Sequence, residues 1–121
     1  VGVEREKTVK LRLAINALAF GLALSSPCAF ARFSGNDLAQ WQQDHERAPA
    51  SYGAGIYYGY VMGVLDLMQV AGKVCPPPGT RARQVTAVVT SFLKERPERW
   101  TEEANLFVWA ALEQAFPCPA K

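Results

Sequence analysis

The first thirty residues decide what the rest of this chain has to fold into. Arg5, Lys7, Lys10 and Arg12 make a basic start, and Leu13 to Leu24 follows as LAINALAFGLAL, an apolar run interrupted only by Asn16 and Gly21. Ser25, Ser26 and Pro27 close it, and Ala29-Phe30-Ala31 supplies an A-x-A motif. A basic region, a short apolar region and a small-residue cleavage site read as a secretory signal peptide cut after Ala31. The competing reading is a membrane anchor. Twelve residues make a helix about 18 Å long, short of the ~30 Å hydrocarbon core. Pro27 directly before Cys28 argues against a lipid-anchored cysteine.

That cut leaves residues 32–121 to do the folding, in an oxidising compartment. Of the 121 residues, 13 are Lys or Arg, 11 are Asp or Glu, and three are Cys. The leader removes four bases, two acids and Cys28, so nine of each charge remain, with Cys75 and Cys118. A charge-neutral chain gives no bulk attraction to nucleic acid or to a membrane surface. Two cysteines in an oxidising compartment are expected to pair, and a domain this small gains from the staple. The alternative is two free thiols.

Helical periodicity runs through the remainder, interrupted by proline and glycine. Ser34-Gly35-Asn36 precedes a short first helix around Asp37-Leu38-Ala39-Gln40-Trp41, ended by Ala48-Pro49-Ala50. A longer helix spans Ser51 to about Ala71, with Ile56, Tyr60, Val64, Leu67 and Val70 as its apolar face. Cys75-Pro76-Pro77-Pro78-Gly79 cannot be helical and forms a rigid loop. Thr80 is the expected cap of a third helix, carrying Val85, Val88, Val89, Phe92 and Leu93 and stopped by Pro97. A fourth begins near Thr101, with Glu102 and Glu103 at the positive end of its dipole and Ala104, Phe107, Val108, Ala111, Leu112 and Ala115 as its stripe. No alternating strand pair with a hairpin turn is present. The fold class is all-α: a four-helix domain over 32–121 with one Cys75–Cys118 disulfide, preceded by the signal peptide at 1–31.

Little here suggests catalysis. The one histidine, His45, lies in a polar helix end, Gln42 to Arg47, and reads as a surface residue. One His and two distant Cys do not make a metal site, and no nucleophile or phosphate-binding motif occurs. No cofactor is expected. The second helix is stranger. Gly55, Gly59 and Gly63 recur every four residues, each costing about 1 kcal/mol against alanine in mid-helix. They imply a groove where another helix packs, within the chain or across a dimer. Asp66 is the one acid of that apolar helix, either exposed or a buried acceptor that needs a partner. Tyr52, Tyr57, Tyr58 and Tyr60 crowd its start. Tyrosines there suit a core, and equally a protein interface.

Four blocks together resemble the Rap/Tai family of type VI secretion immunity proteins. They are Phe33-Ser34-Gly35-Asn36-Asp37-Leu38, Tyr58 to Asp66 (YGYVMGVLD), Val74-Cys75-Pro76-Pro77-Pro78-Gly79-Thr80, and Ala111-Leu112 with Phe116-Pro117-Cys118. Gly59, Tyr60, Gly63 and Asp66 are the motif positions of the second block. The resemblance implies a small, helical, disulfide-bonded periplasmic protein, often a homodimer, that occludes a peptidoglycan amidase delivered by sister cells. It implies no catalytic residue, and it maps the family's C-P and F-P-C cysteines onto Cys75 and Cys118. Many members carry a second cysteine pair at places held here by Gln42 and Tyr57. Tyr52, Tyr57, Tyr58 and Pro77 are the expected partner contacts. The alternative function is a periplasmic structural or stress-related protein with no amidase partner, and the third is an enzyme, which requires His45 and Asp66 to converge.

Overall fold

The computed structural model describes residues 2–23 and 32–120, which fall into two units, 1–31 and 32–121. In the first, Gly2–Ala23 forms one helix, α1. No described helix is long and apolar enough to cross a membrane. The cleavage motif at Ala29–Ala31 lies outside the described residues.

The second unit carries four helices, α2 (Gly35–Arg47), α3 (Tyr52–Val70), α4 (Ala82–Glu95) and α5 (Ala104–Ala115), with a 3-10 turn at Pro97–Arg99. The described residues contain no strand, only an isolated bridge between Ser34 and Glu103. The all-α class and the disulfide expected from the sequence are therefore present. Cys75 and Cys118 are bonded, with Cα atoms 4.8 Å apart.

Local chemistry explains where each helix starts. The Ser34 hydroxyl accepts from the Asp37 N–H at 3.3 Å, and the Asp37 carboxylate accepts from the Ser34 N–H at 2.8 Å. This reciprocal cap fixes the start of α2, which runs to Arg47 and stops at the expected Ala48-Pro49-Ala50 break. The Ser51 hydroxyl caps α3 through the Ala54 N–H. Thr80 does not cap α4. Its hydroxyl donates to the Pro77 carbonyl at 2.7 Å, and the Gln84 side chain takes the Arg81 N–H instead. The fourth helix starts three residues later than expected. Glu102 is drawn into a bidentate pair with Arg99, at 2.7 and 2.8 Å, and Glu103 becomes the N-cap residue.

The core lies between the four helices. Leu38 and Ala39 come from α2, Val61 and Met68 from α3, Val89 and Leu93 from α4, and Phe107 and Leu112 from α5. Phe92 and Phe107 pack edge to face at 5.2 Å. On α5 the expected stripe is buried except for Ala115. On α4 Val88 is half-buried and Thr86 takes the buried place.

Helix α3 is rotated from expectation. Its buried stripe is Ala54, Tyr57, Val61, Leu65 and Met68, whereas Leu67 is 62% and Val70 89% exposed. The helix is apolar on nearly every side, so periodicity alone did not select the inward one.

Candidate partner-binding surface

The rotation of α3 sets what the protein shows to solvent. With 3.6 residues per turn, burying 54, 57, 61, 65 and 68 turns 52, 55, 59, 63, 66 and 70 outward. Gly55, Gly59 and Gly63 are all exposed, and a Cβ added at any of them would meet nothing within 4 Å. The expectation that another helix of this domain packs into the ridge is thus corrected: among the described residues of this unit, nothing covers it. Tyr52, 86% exposed, stands at one end and Val70 at the other. Tyr58 and Leu67 are exposed on its flanks.

The tyrosines separate into two groups. Tyr52 and Tyr58 are accessible to a partner. Tyr57 is not, and its place among the contact residues is corrected. It is fully buried, with its hydroxyl 2.8 Å from Thr90 Oγ1 and 3.3 Å from the Thr86 carbonyl. Burial pushes its phenol up to about 12, against the smaller opposing effect of the Thr90 hydrogen bond. Tyr60 is half-buried in an aromatic cluster, 6.1 Å from Phe33 and 5.9 Å from Trp41, and burial raises its phenol as well. Gln42, like Tyr57, is buried.

Beside the ridge stands the proline loop. Cys75 is tied to Cys118, and the Cys75 N–H donates to the Phe116 carbonyl at 2.9 Å. The loop turns at Gly79, whose φ of 84° lies in the left-handed region, and it closes on the Thr80–Pro77 bonds. Pro77 is exposed. Between loop and helix lies a recess of about 310 Å³, bounded by Met62, Leu65 and Asp66 of α3, Pro76–Thr80 of the loop and Val85 of α4. Asp66 is exposed at this recess, which settles the choice left open by its sequence. The structure therefore gathers Tyr52, Gly59, Gly63, Asp66 and Pro77 on one side of the unit.

The remaining sequence candidates lie elsewhere. His45 is half-buried, not a free surface residue. Its ring lies 5.5 Å from that of Tyr57, and its Nδ1 is buried with no hydrogen-bond partner among the described residues. It lines a different hollow, with Glu46, Arg83 and Thr90, so His45 and Asp66 share no pocket. Glu46 is held below the usual carboxylate range by Lys94 first and Gln42 second. Among the described residues no three His, Cys, Asp or Glu side chains are placed to hold a metal. The recess escaped sequence reasoning because α3 and the loop meet only after α4 folds back. Asp66 and the Pro76–Pro78 run were its visible traces.

A family model for Rap1a immunity proteins matches residues 34–118, from the cap of α2 to the second bonded cysteine. No curated protein and no solved structure matches the chain.

Proposed function

The chain belongs to the Rap1a immunity protein family, and from that premise we propose that it is the antidote to a peptidoglycan amidase. The amidase is an effector of a type VI secretion system. The leader carries the chain across the inner membrane and is removed, and neutralisation takes place in the periplasm. The inhibitor acts by occupation of the toxin's cleft and not by catalysis. One observation carries the reading beyond family membership: an apolar helix surface left uncovered beside a covalently braced loop. Tyr52, Tyr58, Leu67 and Val70 offer the large side chains that serve as interface anchors. The glycine ridge between them lets a partner's backbone come close. A second copy of the chain suits the same surface, and a homodimer forms part of the proposal.

The test is co-purification with a panel of secreted amidases, followed by a peptidoglycan-hydrolysis assay. Stoichiometric loss of hydrolysis by one amidase is the expected result. An amidase encoded beside this gene that neither binds nor is inhibited would refute the proposal. The exposed Leu67 and Val70 also favour a second reading, a periplasmic stress protein that holds unfolded clients. That role requires weak, promiscuous binding of apolar dyes by the folded protein, which an amidase antidote would not show.

A further inference from the structure

We propose that the recess between α3 and the proline loop receives a basic side chain of the effector, with Asp66 as its counter-charge. This rests on the antidote reading and names what the partner must present. The recess holds about 310 Å³, at the small end of ligand pockets and suited to one long side chain. Its walls are mixed: Met62, Leu65, Pro76, Pro78 and Val85 supply apolar surface, and Gln69, Thr80 and the loop backbone supply polar groups beside it. Asp66 is the one charged residue that lines it. Among the described residues Asp66 makes no ion pair and no side-chain hydrogen bond, although Lys73 and Arg81 flank the loop in sequence.

A lysine or arginine matches this arrangement in both its parts. Its methylene stem lies along apolar walls while its head reaches a polar partner. Excluding water around the contact strengthens the attraction relative to an exposed surface pair. The walls are preorganised, since proline fixes φ at three successive loop positions and the disulfide holds the loop's base. A divalent cation is poorly matched in charge, because Asp66 is the single carboxylate among the polar groups that line the recess.

The first experiment titrates the full chain, labelled with nitrogen-15, with N-acetyl-arginine methylamide. The citrulline analogue, equal in shape but uncharged, is the control. Amide shifts confined to Met62–Gln69 and Gly79–Val85 are expected. Binding should fall at least tenfold with citrulline and likewise in Asp66→Asn, whose unchanged remaining spectrum reports an intact fold. No shifts with arginine, or equal binding of citrulline, would overturn the assignment. The second experiment uses any amidase the protein captures. Asp66→Asn should weaken that complex tenfold or more, mainly through faster dissociation. Unchanged affinity would remove the recess from the interface and leave the antidote reading standing. If no amidase is captured, the antidote reading fails, while the arginine titration still decides the recess.

Discussion

Alanine substituted for glycine should have opposite effects at two places in this fold, and the contrast tests how α3 is oriented. Gly55, Gly59 and Gly63 lie inside α3, where glycine is about 1 kcal/mol less favourable than alanine. The added methyls would meet nothing within 4 Å, so no clash offsets that gain. Each single variant should be about 1 kcal/mol more stable, and the triple variant about 3 kcal/mol. For a unit of this size, a gain of that order raises the melting temperature by roughly 12–24 °C. Gly35→Ala should do the reverse. A Cβ at Gly35 would stand 2.8 Å from Trp100 Cα and 2.9 Å from its carbonyl oxygen, both backbone atoms. That neighbour cannot swing aside, because the Gly35 N–H donates to the Glu102 carbonyl and the Asn36 N–H to the Trp100 carbonyl, each at 2.8 Å. Overpacking of this kind costs about 1–3 kcal/mol. Thermal and urea unfolding of the full chain, followed by circular dichroism at several protein concentrations, measures both. A ridge variant less stable than the wild type at every concentration would refute the open-face assignment. So would a neutral Gly35→Ala refute the close approach. If the stabilised triple variant also loses its partner, the glycines are there for binding, since stability alone favours replacing them.

Other variants probe the staple, the core and the cap. Cys75→Ser and Cys118→Ser should each lower stability by the same amount, up to about 4 kcal/mol for a loop of about 44 residues. Reductant should then do nothing further to either variant, and unequal losses in melting experiments would show that one thiol acts alone. Tyr57→Phe should cost about 1 kcal/mol, because it leaves the Thr90 hydroxyl without its 2.8 Å partner. The readout is a lowered urea midpoint at constant m-value, and no change would place the Tyr57 hydroxyl in water. Asp37 is held below the ordinary carboxylate range, first by the Ser34 N–H and then by its hydroxyl. Its folded pKa is depressed, so its contribution is complete above about pH 4, the unfolded value, and fades as pH falls through the folded value. Asp37→Asn should flatten the acid limb of unfolding free energy against pH, and a slope equal to the wild type's would refute the cap.

What the sequence disclosed depended on how one-sided each element is. On α4 and α5 the apolar residues form a narrow stripe against polar neighbours such as Lys94, Glu95 and Glu113, and the stripe marks the core side almost residue by residue. On α3 apolar residues and glycine surround the axis, leaving Ile56–Val70 and Ala54–Met68 equally plausible as the inward face. Only contacts with three other helices choose between them, and contacts are a property of the folded unit. Caps failed for a related reason. Thr80 and Glu102 carry the right chemistry for helix starts, but Pro77 and Arg99 compete for them at shorter reach. The cysteine pair was legible because residues 32–121 hold just these two cysteines, each beside a proline in a loop, which limits what they can do. The site was legible in part. Gly59, Gly63, Asp66 and Pro77 stood out individually, whereas their meeting on one side depends on how α4 returns the loop against α3.

The partner's nature follows from a mismatch between α3 and its surroundings. A helix that is hydrophobic all round is ordinarily buried on all sides. Here α2, α4 and α5 cover one side and leave Tyr52, Leu67 and Val70 in water. The rest of the fold gains nothing from that exposure, and the glycines among those residues weaken the helix. A surface retained against local stability is explained by something outside the chain that covers it. Residues 32–121 carry nine bases and nine acids, so long-range charge cannot bring that partner in. Recognition falls to shape along the ridge and, at the recess, to one carboxylate. Association should therefore depend weakly on ionic strength, while dissociation responds strongly to Asp66 and Tyr52. Stopped-flow binding across a salt series separates the two. A steep fall of the association rate with salt would show that charge outside this surface steers the encounter, and the argument from shape would fail.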